Sequence, residues 1–192
     1  MTSPIRSVTT QYAGWSTMKL VEFALESGVY VKRHVEDHGL AVGVLPYDPD
    51  RRCALVISML RAPVLLAGEP SIYEVPAGQR EADGAEESAR REALEEVGVS
   101  LRTLEKVIHA WSMPAISSER ISLYLGVYSA ADRIAPGGGR ADEEEEITVA
   151  EVALDDLWTL YARGDLTDMK TAFLLQALRL RRPDLFTVAL SG

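Results

Sequence analysis

Apolar and polar positions alternate through the first third of the chain, then switch to helical spacing, then return to alternation. Residues 17–25 and 28–36 alternate around Ser27-Gly28 and predict a hairpin. Residues 40–47 and 53–60 form a second pair, separated by Asp48-Pro49-Asp50, whose proline presets a turn and whose aspartates bond nearby backbone. Residues 72–75 predict a short strand. A helix follows, with Ala89, Ala93 and Val97 as an apolar stripe that packs inward while an acidic face looks outward. Asp83 is its expected N-cap, in a capping box with Glu86, and Gly98 its stop. Residues 104–111, 121–128 and 147–152 predict three more strands. Two helices close the chain, 154–163 ended by Gly164 and 168–180 ended before Pro183. Thr167 is the expected N-cap of the second, and Phe173, Leu174, Ala177 and Leu178 its core stripe. The pattern is α/β.

Composition narrows the reading. At 192 residues and 47% hydrophobic content, one domain with a sizeable core is expected, without repeats or a separating linker. The formal charge of −9 argues against nucleic acid, whose backbone calls for clustered Lys and Arg. Cys53 is the only cysteine and lies in an apolar run, which predicts a buried, inert thiol and a reducing, cytoplasmic setting. No apolar run reaches membrane-span length, and no signal-peptide core is expected. His34, His38 and His109 lack metal-ligand spacing, and Tyr12, Trp15 and Trp111 read first as packing residues.

The candidate chemistry lies in the first helix. Glu92, Glu95 and Glu96 stand at i, i+3 and i+4, so their carboxylates share one face and repel unless a cation intervenes. A hard divalent ion suits them, since Mg²⁺ takes carboxylate oxygens and keeps other positions for water and phosphate. The plain alternative is a solvated charged face neutralised by Arg90 or Arg91.

The sequence REALEEVGV (residues 91–99), preceded by PAGQ (residues 76–79), resembles the signature of the Nudix hydrolases. Arg91, Glu92, Ala93, Glu95, Glu96, Gly98 and Val99 match the signature's second half. The first half departs from it: the loop from Gly78 is one residue short, and Asp83 stands near the expected glutamate. Pro114 lies fifteen positions after Val99, where nucleotide-sugar members such as ADP-ribose pyrophosphatases carry a marker proline. Glu119 and Arg120 then follow as in that subgroup's substrate loop, although Met113-Pro114-Ala115-Ile116 replaces Ser-Pro-Gly-Gly. GGGRADEEEEITV (residues 137–149) looks like the subgroup's mobile acidic loop, and its glycine run is similar to that of GDP-mannose-cleaving relatives.

The resemblance implies one Nudix domain over residues 1–192, an α/β/α sandwich with a mixed sheet and an N-terminal antiparallel strand extension. Within it lie N-terminal strands (1–36), the box (77–99) and C-terminal helices (153–182). It implies Mg²⁺, with Mn²⁺ as substitute, on Glu92, Glu95, Glu96 and the Ala77 carbonyl, with Glu145 a further ligand. Glu92 and Glu96 then serve catalysis, and Glu143 is the general base on a glycine-hinged loop. Arg61, Pro114 and Glu119 are the implied substrate contacts, Arg91 orients Glu92, and Glu74 assists the turn. The implied activity is cleavage of the pyrophosphate of a nucleoside diphosphate sugar, ADP-ribose or GDP-mannose, by a homodimer joined through its N-terminal strands, without nucleic acid or membrane partners. Rival readings are a Nudix hydrolase of nucleoside triphosphates or dinucleoside polyphosphates, and a non-catalytic ADP-ribose-binding module.

Overall fold

The computed structural model describes residues 4–140 and 146–187. The strands are β1 (Ile5–Ala13), β2 (Thr17–Ala24), β3 (Tyr30–Asp37), β4 (Leu40–Asp48), β5 (Cys53–Ser58), β6 (Ala77–Gln79), β7 (Thr103–Trp111), β8 (Arg120–Val127) and β9 (Thr148–Ala153). The helices are α1 (Ala62–Leu66), α2 (Ala85–Val97), α3 (Leu154–Arg163) and α4 (Met169–Arg181). The chain forms two compact units. One gathers the chain up to Ala41 with His109–Ile121, and the other Val42–Ile108 with the chain from Ser122 onward.

The first unit is built on an antiparallel sheet in the order β1-β2-β3. Leu20 faces His34 and Thr10 faces Lys19 across its ladders. All nine residues of β1 are exposed. Neither side of this strand is buried, so no period-two signal marks it, and sequence reasoning missed it. At the other edge, Glu36 and Asp37 hold the segment before β8. Glu36 exchanges backbone bonds with Ile116 and Ser118, and its carboxylate accepts from Ser117 Oγ at 2.7 Å. Asp37 accepts from Ser118 Oγ at 2.8 Å and pairs with Lys19.

The second unit is an α/β/α sandwich. Its mixed sheet runs β7-β8-β4-β5-β9, with β6 paired to β4. From Val42 to Asp48 every residue of β4 is buried, as are the first five of β5. Strands buried on both sides need a layer on each. Val42, Val44, Leu55 and Ile57 join Ala89, Ala93 and Val97 of α2 in one core cluster. Alternation turns Ala54 and Val56 the other way, toward the helical layer that buries Leu154, Leu157, Leu174 and Leu178.

Several local expectations need correction. The N-cap of α2 is Gly84, with no side-chain cap, and Asp83 instead accepts from Ser88 Oγ at 3.2 Å. Asp168, not Thr167, caps α4 by accepting from the Thr171 amide. Aspartate is the stronger cap, and its neighbour yields to it. Thr171 and Leu175 replace Phe173 and Ala177 in the buried stripe of α4, and Phe173 is exposed. Residues 72–75 are extended but contribute only a single bridge, between Ile57 and Glu74, and the regular strand begins at Ala77. The five-residue α1 is too short for a period to show. Cys53 is buried as expected.

Four carboxylates are held below their usual range by hydrogen bonds: Asp37 by Lys19, Asp132 by Ser129, Glu151 by Arg51 and Asp184 by Arg182. A depressed carboxylate contributes stability above its unfolded pKa and loses it as pH falls through its folded one. The melting temperature is therefore expected to hold from neutrality to about pH 5 and to fall steadily below about pH 4. Arg51→Met should flatten part of that decline in a thermal-denaturation series, and an unchanged slope would contradict it.

Candidate active site

Burial shapes the acidic face of α2. The expected outward-looking face is instead partly interior: Glu92 is 7% exposed and Glu96 3%, while Glu95 is half-buried. Buried carboxylates need a partner charge or donors. Arg91 supplies the charge. Its guanidinium lies 2.8 Å from Glu92 Oε1, 2.8 Å from Glu95 Oε2 and 3.4 Å from Glu81 Oε1. Burial opposes the charge on Arg91, yet Glu92, Glu95 and Glu81 outweigh it and raise its pKa. Glu96 turns to backbone, where its Oε2 accepts from the Ala77 amide at 3.0 Å.

The turn before α2 fits around these groups. A Cβ on Gly78 would fall 2.3 Å from Glu92 Oε1, so this glycine makes room for a carboxylate. The residues entering the turn are pinned on both sides: Glu74 exchanges backbone bonds with Ile57, and the Pro76 carbonyl accepts from the Val44 amide at 3.0 Å. Beside them Glu74, 5% exposed, receives Arg61 Nε at 2.8 Å and Lys170 Nζ at 3.4 Å. Arg61 and Glu74 are thus brought together, and Lys170 joins them. Sequence reasoning missed Lys170, because nothing at position 170 links it locally to position 74.

The carboxyl end of α2 carries the stem of the acidic loop. Gly138 and Gly139 donate their amides to the Glu96 and Glu95 carbonyls at 2.9 and 3.1 Å, and the Gly98 carbonyl accepts from Ile134 at 2.9 Å. A Cβ on Gly137 would lie 2.6 Å from the Glu96 carbonyl oxygen. These glycines serve close approach to the helix at the base of the loop. Arg140, next along the stem, lies 3.8 Å from Glu95 Oε1. Glu143 and Glu145 lie outside the described residues.

Pro114 and Glu119 belong to the first unit. There Met113 closes a turn, its carbonyl accepting from Ile116 and Ser117, and the Glu119 amide donates to Ser117 Oγ at 3.1 Å. Pro114 is exposed and Glu119 half-buried.

The donor set suits a hard divalent cation. Glu92, Glu95 and Glu96 offer only oxygen, and one positive side chain, Arg91, already sits among them. Among the described residues no three His, Cys, Asp or Glu side chains are gathered as a ready metal-holding set. The carboxylates point at Arg91 and Ala77 instead. Also among the described residues, no helix is long and apolar enough to cross a membrane.

Comparison with known proteins extends these observations. The chain is 34% identical over 152 residues to the GDP-mannose pyrophosphatase of Cronobacter sakazakii, spanning 78% of each protein. It is 32% identical over 146 residues to the Yersinia enterocolitica protein of the same name, spanning 75% of each. The crystal structure of an ADP compounds hydrolase superposes with a TM-score of 0.76 at 18% identity, covering 98% of both chains, a likeness of fold. The NUDIX domain model matches residues 37–173, which takes in β4 through the first turn of α4 and the whole turn-helix site. With the signature's glutamates folded onto the turn that precedes them, the chain belongs to the Nudix family.

Proposed function

We propose that the protein is a divalent-metal-dependent hydrolase that splits the pyrophosphate bond of nucleoside diphosphate sugars, giving a nucleoside monophosphate and a sugar phosphate. The observation that carries the reading is the pair of buried carboxylates, Glu92 and Glu96, one turn apart against the Ala77-Gly78 turn. Curated relatives named GDP-mannose pyrophosphatase favour a GDP-sugar over ADP-ribose.

Glu92, Glu95 and Glu96, with the Ala77 carbonyl and Glu145, would hold Mg²⁺, or Mn²⁺ in its place. When bound, the ion neutralises phosphoryl oxygens and acidifies a coordinated water. The chain's own residues do the rest. Arg91 keeps Glu92 and Glu95 directed to one side of α2 until they are engaged. Arg61, oriented by Glu74, presents its guanidinium to a substrate phosphate. Glu143 takes the proton of the attacking water. The task is positioning and electrostatics more than covalent chemistry.

One assay tests the reading. The protein is incubated with GDP-mannose, ADP-ribose, ADP-glucose and ATP, with Mg²⁺ or with chelator, and products are identified. Sugar nucleotides are expected to be split at the pyrophosphate only with metal, and ATP largely spared. Preferred hydrolysis of ATP, or none at all, would overturn it. Glu143→Gln should lower turnover by about a hundredfold with KM little changed, as expected for a base. Full rate in that variant removes Glu143 from the role.

The exposed apolar side chains of β1, Ile5, Val8 and Tyr12, support a homodimer joined through the N-terminal strands. Light scattering at micromolar concentration should give twice the chain mass, and a monomer there excludes it. The single buried thiol and the acidic charge favour a cytoplasmic setting without nucleic-acid partners. Localisation of a tagged copy tests it.

A further inference from the structure

The first turn of α4 makes a hydrogen-bonded circuit that capping alone does not require. Asp168 Oδ2 accepts from the Thr171 amide at 2.9 Å, which caps the helix. It also accepts from Thr171 Oγ1 at 2.6 Å. A hydroxyl has one proton, so with that proton committed to the carboxylate its oxygen is left as an acceptor. The Val75 amide fills this role, donating to Thr171 Oγ1 at 2.8 Å. Thr171 is fully buried and Asp168 nearly so. Asp168 Oδ1 meanwhile receives Lys170 Nζ at 2.8 Å, and Lys170 reaches on to Glu74. The circuit runs Asp168, Lys170, Glu74, Val75, Thr171 and back to Asp168.

Its position matters because of what Val75 leads into. Glu74 is tied to β5 and the Pro76 carbonyl to β4, whereas the Val75 amide points to neither strand and bonds α4. Two residues later the Ala77 amide holds Glu96. The sheet alone therefore leaves one amide of the approach to this turn unheld, and the Thr171 hydroxyl completes the set. Helix capping would survive without that hydroxyl, since the Thr171 amide alone serves it.

We propose that Thr171, with its hydroxyl oriented by Asp168, is a positioning residue that fixes the backbone carrying Ala77 against Glu96 and thereby sets the affinity of the site for its divalent ion. This rests on the reading of the turn and α2 as a metal site. Groups bonded directly to metal ligands typically change affinity or activity by about ten- to a hundredfold when lost, and Thr171 acts one link further back, through Val75, which sets the expectation at the low end of that range.

The test is direct Mn²⁺ binding to the full-length protein, followed by the paramagnetic resonance signal of free ion. Thr171→Val keeps the amide cap and the volume but not the acceptor, and it should weaken binding about tenfold. Thr171→Ser restores the acceptor and should stay within about twofold of the wild type. Thr171→Ala gives a second, smaller removal and should follow Thr171→Val, which keeps the test open if the valine variant folds poorly. Wild-type affinity in a folded Thr171→Val or Thr171→Ala, even with a lowered melting temperature, would make the hydroxyl merely structural and overturn the proposal. A wild-type protein that binds no Mn²⁺ would instead overturn the metal reading beneath it.

Discussion

Glu96→Gln is expected to lower metal-dependent hydrolysis of sugar nucleotides by about a hundredfold while the protein stays folded. Glutamine has nearly the same volume, and its amide oxygen can still accept from the Ala77 amide, a contact that ties Glu96 to the turn. What it lacks is the negative charge, and at 3% exposure the lost charge cannot be replaced by a water-facing neighbour. Turnover and Mn²⁺ binding should therefore fall together, with the thermal melt nearly unmoved. Retained turnover would remove Glu96 from the chemistry. Collapse of the fold would show that its charge is structural.

Gly98→Ala should cost about 3 kcal/mol or more of stability, seen as a melting temperature lower by roughly 10 °C. Two penalties coincide at this residue. Its φ is +72°, a conformation that alanine adopts at a cost, and the added Cβ would lie 2.0 Å from the Ala135 carbonyl oxygen. That oxygen belongs to backbone, so relief requires moving the stem that caps α2. Activity should decline with stability, because the same movement disturbs the Glu95 and Glu96 carbonyls that hold Gly138 and Gly139. Gly164→Ala is a suitable control: it shares a positive φ of +81° but has nothing within 4 Å of the added carbon. If the two variants melt alike, close packing at Gly98 is not what fixes this junction.

The elements that were legible in the sequence are those whose burial imposes a period. Residues 154–163 coincide with α3, and the Ala89, Ala93 and Val97 stripe lies in the core where alternation and helical spacing placed it. Illegible elements lacked that imprint: β1 is exposed on both sides, and α1 is a single short turn. In the site, the signature's residues were readable because they are local. What escaped were contacts across long separations, such as Lys170 to Glu74 and Thr171 to Val75, each 96 residues apart. The inward turn of Glu92 and Glu96 was hidden for a related reason. A charged residue reads as solvent-facing until the arginine and the backbone amide that receive it are known.

Arg91 has a consequence for the life of the protein before any ion arrives. Because a resident guanidinium already balances its crowded acids, the polypeptide is expected to complete its fold without waiting for a mineral ion, unlike small domains that collapse only around their metal. Folding and metal loading are then separable steps, and the chain freed of divalent ion by chelator is expected to melt as a folded protein.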